Sequence, residues 1–350
     1  GLYYCPWRWS FWFLFVRSMA TSTYRRTTLD IKARKRVIVT GGLGNLGTKV
    51  VAGLHESPDL EVVVLDRAQG DLRKREGGWE ELLRGADTVV HLAAQSPFPK
   101  CTWKDSLASF DITANVFLAA VKAKVRRVVF ASSNHVMGGL KEEGTNSLEA
   151  RPIGHLTDPC PGTKQFIPEP SDSTRYAVAK TYGERLAAAL ASDRGGETSF
   201  YCLRIGWCQP GANSPRTLSF SNPVLLGPLN YARAKGGGGD ANDQVGRRVG
   251  NETLWNAEKL SEWFQLMWLS NRDFLQICEK AIRSPPAPGG FGVVNAVSGN
   301  TNMRWSLESA RDWLGYAPQD DVTLHDRPGH ENAGRRRIQG DTRKQPISKL

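Results

Sequence analysis

Tyr176 and Lys180 stand four residues apart in Tyr176-Ala177-Val178-Ala179-Lys180, a helical pattern that puts both side chains on one face. An ammonium beside a phenol favours the phenolate and pulls the tyrosine toward neutrality. Tyr176 then becomes a general base for a hydroxyl proton. Ser133, in the Ser132-Ser133 pair that follows the apolar run Arg127–Ala131, offers a hydroxyl to hold the reacting oxygen. A second group lies upstream. Gly41, Gly44 and Gly47 shape a turn in which Asn45 and Leu46 open a helix, so backbone amides at a helix N-terminus face a phosphate. Asp66 ends the run Val62-Val63-Val64-Leu65, about twenty residues beyond that turn, where a carboxylate accepts both ribose hydroxyls of a dinucleotide. It repels a 2′-phosphate and so favours NAD over NADP, while Arg67 next to it softens the preference. The plainer alternatives are an amphipathic surface helix for Tyr176 and Lys180, and a strand-ending turn for Asp66.

These groups need a scaffold of alternating strands and helices. Strands are expected at Arg36–Thr40, Glu61–Leu65, Thr88–Leu92, Arg127–Ala131 and Ser199–Leu203, with a strand-like Gly292–Ala296 near the end. Helical patterns run over Leu46–His55, Trp79–Leu83, Ala108–Lys124, Arg175–Ala191, Asn271–Ile282 and Ser306–Leu314. The order predicts an α/β fold: a Rossmann-type doubly wound parallel sheet with a small C-terminal substrate lobe. Residues 1–35 read as a flexible N-terminal segment, 36–326 as the folded domain, and 327–350 as a disordered tail. Leu140–Asp172 and Asn230–Asn251, the latter carrying Gly236-Gly237-Gly238-Gly239, read as surface inserts.

The formal charge of +11 does not mark a nucleic-acid binder. Residues 1–36 hold eight Lys or Arg and one Asp, residues 326–350 seven and three acidic groups, and the stretch between is neutral. The basic excess therefore sits in the two ends and leaves no basic face on the body. Six cysteines are scattered without a C-x-x-C pair, which fits a reducing compartment and no metal centre. The aromatic stretch Phe11–Val16 is far shorter than the roughly 20 apolar residues a spanning helix needs. Met19 is a candidate start, and residues 20–35 suit either a transit peptide or an unstructured lead-in.

The glycine turn, Asp66, His91-Leu92-Ala93-Ala94, Ser132-Ser133 and Tyr176-x-x-x-Lys180 resemble the extended short-chain dehydrogenase/reductases, also called the NAD-dependent epimerase/dehydratase family. The resemblance runs from about Arg36 to Asp321. Phe130-Ala131-Ser132-Ser133-Asn134-His135, Leu203-Arg204-Ile205-Gly206, Trp268–Phe274 and Leu314-Gly315-Tyr316-Ala317-Pro318 are similar to strings of uronate dehydrogenases. Those enzymes oxidise the anomeric carbon of a hexuronic acid and pass hydride to NAD. The resemblance implies that Leu92, Ala93, Ala94 and the pair Asp71-Leu72 flank NAD, and that Lys180 also holds the nicotinamide ribose. It further implies that Ser96, Ser133, Asn134 and His135 line a sugar site and that Arg204 pairs with the sugar carboxylate. Two alternatives stay open: a structural histidine at His135, and an internal ion pair at Arg204. The chain departs from the family at Ser109, where an asparagine is usual. It departs again between Asp66 and Asp71, where a further strand is usual.

The resulting expectation is an NAD-dependent oxidoreductase acting on a hydroxyl of a small sugar acid. A nucleotide-sugar epimerase and a non-catalytic NAD(H)-binding redox sensor are the competing readings. Asn134 and His135 supply no carboxylate, which counts against a dehydratase. The expected partner is a small-molecule sugar, with neither nucleic acid nor membrane, and a homo-oligomer is left open. The terminal Ser348-Lys349-Leu350 is the tripeptide read by a peroxisomal import receptor if the source is eukaryotic, with the cytoplasm as the alternative.

Overall fold

The β-branched run at the start of the body forms an inner strand of the sheet, second from one edge. In the computed structural model, β1 (Lys35–Thr40) pairs on one side with β2 (Leu60–Leu65) and on the other with β3 (Thr88–His91). β4 (Arg127–Ser133) and β5 (Ser199–Ile205) follow beside β3. A two-stranded antiparallel ladder, β6 (Arg248–Val249) with β7 (Glu252–Thr253), stands apart. β8 (Phe291–Ala296) closes the far edge, giving a six-stranded, all-parallel order β2-β1-β3-β4-β5-β8. The structure describes residues 34–95, 101–143, 151–161, 172–193, 197–215, 248–249, 252–253 and 263–324. Ser96, both chain ends with the C-terminal tripeptide, and most of the two expected inserts lie outside them.

Alternation along each strand sorts the side chains onto two covered faces. Val37, Val39, Val129 and Ala131 point toward α1 (Asn45–His55), α4 (Asn271–Arg283) and α5 (Glu308–Leu314). Ile38, Val128 and Phe130 point toward α2 (Trp103–Lys122) and α3 (Asp172–Asp193), with the 3₁₀ turn Trp79–Leu83 sealing the edge. Strands buried on both faces are a hallmark of the doubly wound arrangement. The C-terminal residues thus add a strand and two helices to the main layers.

Two boundaries differ from the periodicity. α2 begins at Trp103, five residues before the expected Ala108, because Thr102 and Asp105 form a capping box. The Thr102 hydroxyl accepts from the Asp105 amide at 3.2 Å, and the Asp105 carboxylate accepts from the Thr102 amide at 2.8 Å. β4 and β5 run two residues further than expected, to Ser133 and Ile205, and carry the site residues into the sheet itself. Part of the expected insert after Leu140 is anchored. Ile153 is buried, its amide donates to the Arg304 carbonyl at 2.8 Å, and it bridges to Trp305. Among the described residues no helix is long and apolar enough to cross a membrane.

α3 lies hard against the sheet at Gly183, where an added Cβ would fall 2.4 Å from Cζ of Phe130. That ring is fully packed and has no room to withdraw. Gly183→Ala should therefore destabilise the protein by roughly 1–3 kcal/mol, as overpacking of a core does. Urea unfolding checks this, and an unchanged midpoint would show that the helix has space to give.

Candidate active site

At the carboxyl ends of β1, β2 and β3 a cleft of about 720 Å³ opens. Gly41 has φ +68°, and a Cβ there would fall 2.9 Å from backbone atoms of Ala93. A Cβ on Gly47 would fall 2.2 Å from the Gly41 carbonyl. Glycine at both positions is thus a steric requirement of the turn. The Gly44 amide donates to the Gly41 carbonyl at 3.0 Å and closes the turn, and α1 begins without any side-chain cap. Its first amides are left for a ligand. Asp66 faces this turn: its carboxylate accepts from the Leu43 amide at 3.0 Å and from the Arg67 amide at 2.8 Å.

Gly41, Gly44, Asp66, Asp71, Leu72, Leu92, Ala93 and Ala94 all line the cleft. Asn45, Leu46, Gly47 and Lys180 do not. Asn45 instead donates to the Cys208 carbonyl at 3.0 Å, and Leu46 packs against the apolar core. Sequence reasoning missed Arg73, which also lines the cleft and forks onto Asp71 at 2.7 and 2.8 Å. That guanidinium holds the Asp71 carboxyl down to about 2. The volume, the glycine cradle and the free helix start fit a dinucleotide.

The strand after the cleft leads to the reacting groups. His91, at the end of β3, shares a hydrogen bond with the Thr40 hydroxyl at 2.7 Å and stacks on Phe130. Burial holds it neutral, down to about 3. The same Thr40 oxygen accepts from the Ala93 amide at 3.3 Å, so this buried contact sets the course of Leu92–Ala94 along the cleft.

Ser133 ends β4, and its hydroxyl pulls the proton affinity of the Tyr176 phenol on α3 downward. The Ser133 oxygen also accepts from the His135 amide at 3.2 Å. The His135 ring stands edge-on to Tyr176, centroids 5.7 Å apart. Asn134 donates to the Ile205 carbonyl at 2.9 Å, while its own side-chain oxygen is buried with no partner. Lys180 is 4% exposed, with its ammonium 4.9 Å from the Phe130 ring centre and 5.5 Å from that of Tyr176.

Two expectations need correction. Tyr176 is not drawn toward neutrality: loss of hydration pushes it up to about 12 against the opposing pull of Ser133. Burial also lowers Lys180 to about 7, so the cation meant to stabilise the phenolate is itself disfavoured. Arg204 is in the internal ion pair. It is 2% exposed, and its Nε and Nη2 fork onto Glu184 at 3.0 and 2.9 Å. That commitment occupies the Nε/Nη2 fork and leaves Nη1, buried and without a partner, as the one donor of Arg204 still open to a ligand. Glu184 was missed, although its spacing of four from Lys180 and eight from Tyr176 was a usable signal.

Residues 37–206 match the NAD dependent epimerase/dehydratase family. Over 298 residues the chain is 28% identical to L-arabinose 1-dehydrogenase (NAD(P)(+)) of Haloferax volcanii, covering 81% of this chain and 96% of that protein. It is 25% identical over 306 residues to uronate dehydrogenase of Agrobacterium fabrum, covering 82% and 86%. Among solved structures, uronate dehydrogenase from Agrobacterium tumefaciens superposes with a TM-score of 0.55 at 23% identity, covering 83% of this chain and 86% of that one. A short-chain dehydrogenase/reductase superfamily protein from the same organism, with bound NAD, gives 0.58 at 20% identity, covering 83% and 94%. Both share the fold described above.

Two tests follow. Asp66→Ala should weaken NAD binding and narrow its preference over NADP. An unchanged ratio of the two dissociation constants would remove Asp66 from the cofactor site. Lys180 titrates near 7 in the fold against an ordinary 10.5. Between those values the unfolded chain binds the extra proton, so stability rises with pH there. Lys180→Met should therefore be more stable than the parent at about pH 6, with the gain fading as pH climbs toward that of free lysine. Urea unfolding across pH measures it, and a pH-independent difference would contradict the assignment.

Proposed function

Residues 37–206 match the NAD dependent epimerase/dehydratase family, and from that match we propose that the chain is a member which oxidises a hydroxyl of a small sugar and passes hydride to NAD. The observation that carries the reading is the convergence of Ser133 at the end of β4, Tyr176 packed edge-on against His135, and Lys180 one turn along the same helix, with the glycine cleft beside them. A sugar hydroxyl that meets both Ser133 and Tyr176 is held on one side and relieved of its proton on the other. NAD, when bound, supplies the hydride acceptor and brings the positive charge of its oxidised ring. Gly41, Gly44 and the first turn of α1 would hold its phosphates, and Asp66 its adenosine ribose.

Burial keeps the proton on Tyr176, so its base form depends on positive charge nearby. Lys180 lies on the face where that charge acts. Asn134, with a buried oxygen that has no partner, is a ready acceptor for a further sugar hydroxyl. His135, packed edge-on against Tyr176, walls the same space.

The anomeric hydroxyl is the reacting group we favour, because the arabinose relative is a 1-dehydrogenase. The sugar-acid reading rests on likeness to the uronate dehydrogenases, since Arg204 is engaged by Glu184. Turnover measured as NADH formation against uronic acids, neutral aldoses and sugar nucleotides tests the whole reading. The expected outcome is NADH from free sugars, while interconversion of sugar nucleotides without net NADH would overturn it. Tyr176→Phe should lower kcat roughly 10²–10⁴-fold, as loss of a general base does. NAD should still bind within about threefold of the parent, because the phenol lies outside the cleft that holds the phosphates. Wild-type turnover in the Phe variant would exclude Tyr176 as the base.

A further inference from the structure

Tyr176, Lys180 and Glu184 repeat every four residues along α3, so the third side chain shares the face of the first two. Its carboxylate is 4% exposed and is held from two strands at once. Oε1 accepts from the Ser132 hydroxyl at 2.5 Å and from Arg204 Nε at 3.0 Å, while Oε2 accepts from Arg204 Nη2 at 2.9 Å. Ser132 and Arg204 are direct register partners on β4 and β5. One carboxylate therefore ties α3 to the two neighbouring strands whose ends bear the site. Ser132 is also bonded to Ser133, whose oxygen accepts from the His135 amide, and the His135 ring packs edge-on to Tyr176. We propose that Glu184 is a positioning residue: it sets the register of α3 over β4 and β5, and through that the placement of Tyr176 against Ser133 and His135. This rests on the reading of Tyr176 as the base.

The energetics favour such a role over a purely stabilising one. A buried ion pair often gives no net stability relative to an apolar pair, because desolvation offsets the attraction. What it does supply is direction. A two-point guanidinium fork fixes both distance and plane, and the serine fixes the third contact. Sliding α3 by one residue would break all three bonds together. Gly183, immediately before Glu184, lets the helix come close enough for them to form. A misplacement of about 1 Å at a reacting group costs on the order of 10²-fold in rate.

The test uses the full chain labelled with fluorotyrosine. Tyr176→Phe assigns the Tyr176 fluorine resonance among those of the eight tyrosines. Glu184→Gln keeps the shape and weakens the fork. The paired change Glu184→Leu with Arg204→Leu removes both charges, leaves no uncompensated ion, and so folds if the Gln variant does not. In whichever folds, the Tyr176 resonance should shift or broaden while the other seven hold. The kcat for the sugar should drop roughly 10–100-fold, with KM and the NAD dissociation constant within about threefold. Glu184→Asp, which retains charge but shortens the reach, should not restore kcat. An unmoved Tyr176 resonance, or wild-type kcat in the leucine pair, would overturn the proposal. So would NAD affinity falling in step with kcat. If the parent oxidises no sugar, the substrate reading fails by itself, and the fluorine spectrum still decides the role of Glu184.

Discussion

Loss of hydration at the carboxyl ends of the central strands is the constraint under which the site is built. Lys180 carries an ammonium into this region with two aromatic rings as its near neighbours, and burial drives it toward the neutral form. The phenol of Tyr176 is pushed the opposite way, toward keeping its proton. Both shifts have one cause, since each disfavours a charge that water would otherwise stabilise. A site of this kind is arranged for charge that arrives with ligands. Burial thus favours the protonated phenol and weakens the hold of the neighbouring amine on its proton.

The same dryness explains why Arg204 is paired. A lone guanidinium at this depth would be costly, and Glu184 is the carboxylate within reach. Arg127 solves the problem differently. It is equally buried and donates to the Ala281 and Ser284 carbonyls at the end of α4, to the Ser199 hydroxyl, and lies over the Tyr201 ring. That arrangement uses the negative end of a helix as the counter-charge. The two arginines thus divide the labour. One joins β4 to the back of the sheet, and the other joins β5 to the helix that bears the reacting groups.

Much of the scaffold was legible in the sequence because its causes are local. The β-branched runs, the glycine turn and the four-residue spacing of Tyr176 and Lys180 are each set by near neighbours, and the structure follows them within a few residues. The start of α2 was hidden because its capping box lies outside the apolar repeat. The pairing of Arg204 was hidden because it depends on which strand lies beside which helix, twenty residues away in sequence. The fork of Arg73 onto Asp71 was likewise invisible, since residues two apart on a turn can face either way. The tyrosine shift was read with the wrong sign because spacing reports proximity of charge and says nothing of hydration.

Side chains of α1 tie the glycine turn directly to the segment after β5. Lys49 of α1 donates to the Gln209 carbonyl at 2.5 Å and to the Asn271 side chain at 2.6 Å. Asn45, in the first turn of the same helix, donates to the Cys208 carbonyl. The segment leaving β5 is therefore fastened to the helix whose N-terminus follows the glycine turn of the cleft. Asn271 begins α4, whose far end is gripped by Arg126 and Arg127 at the opposite end of the sheet. A shift in the segment after β5 would strain α1 and α4 together. The glycine turn, the segment after Gly206 and the start of α4 are thus held together by hydrogen bonds from a single helix face.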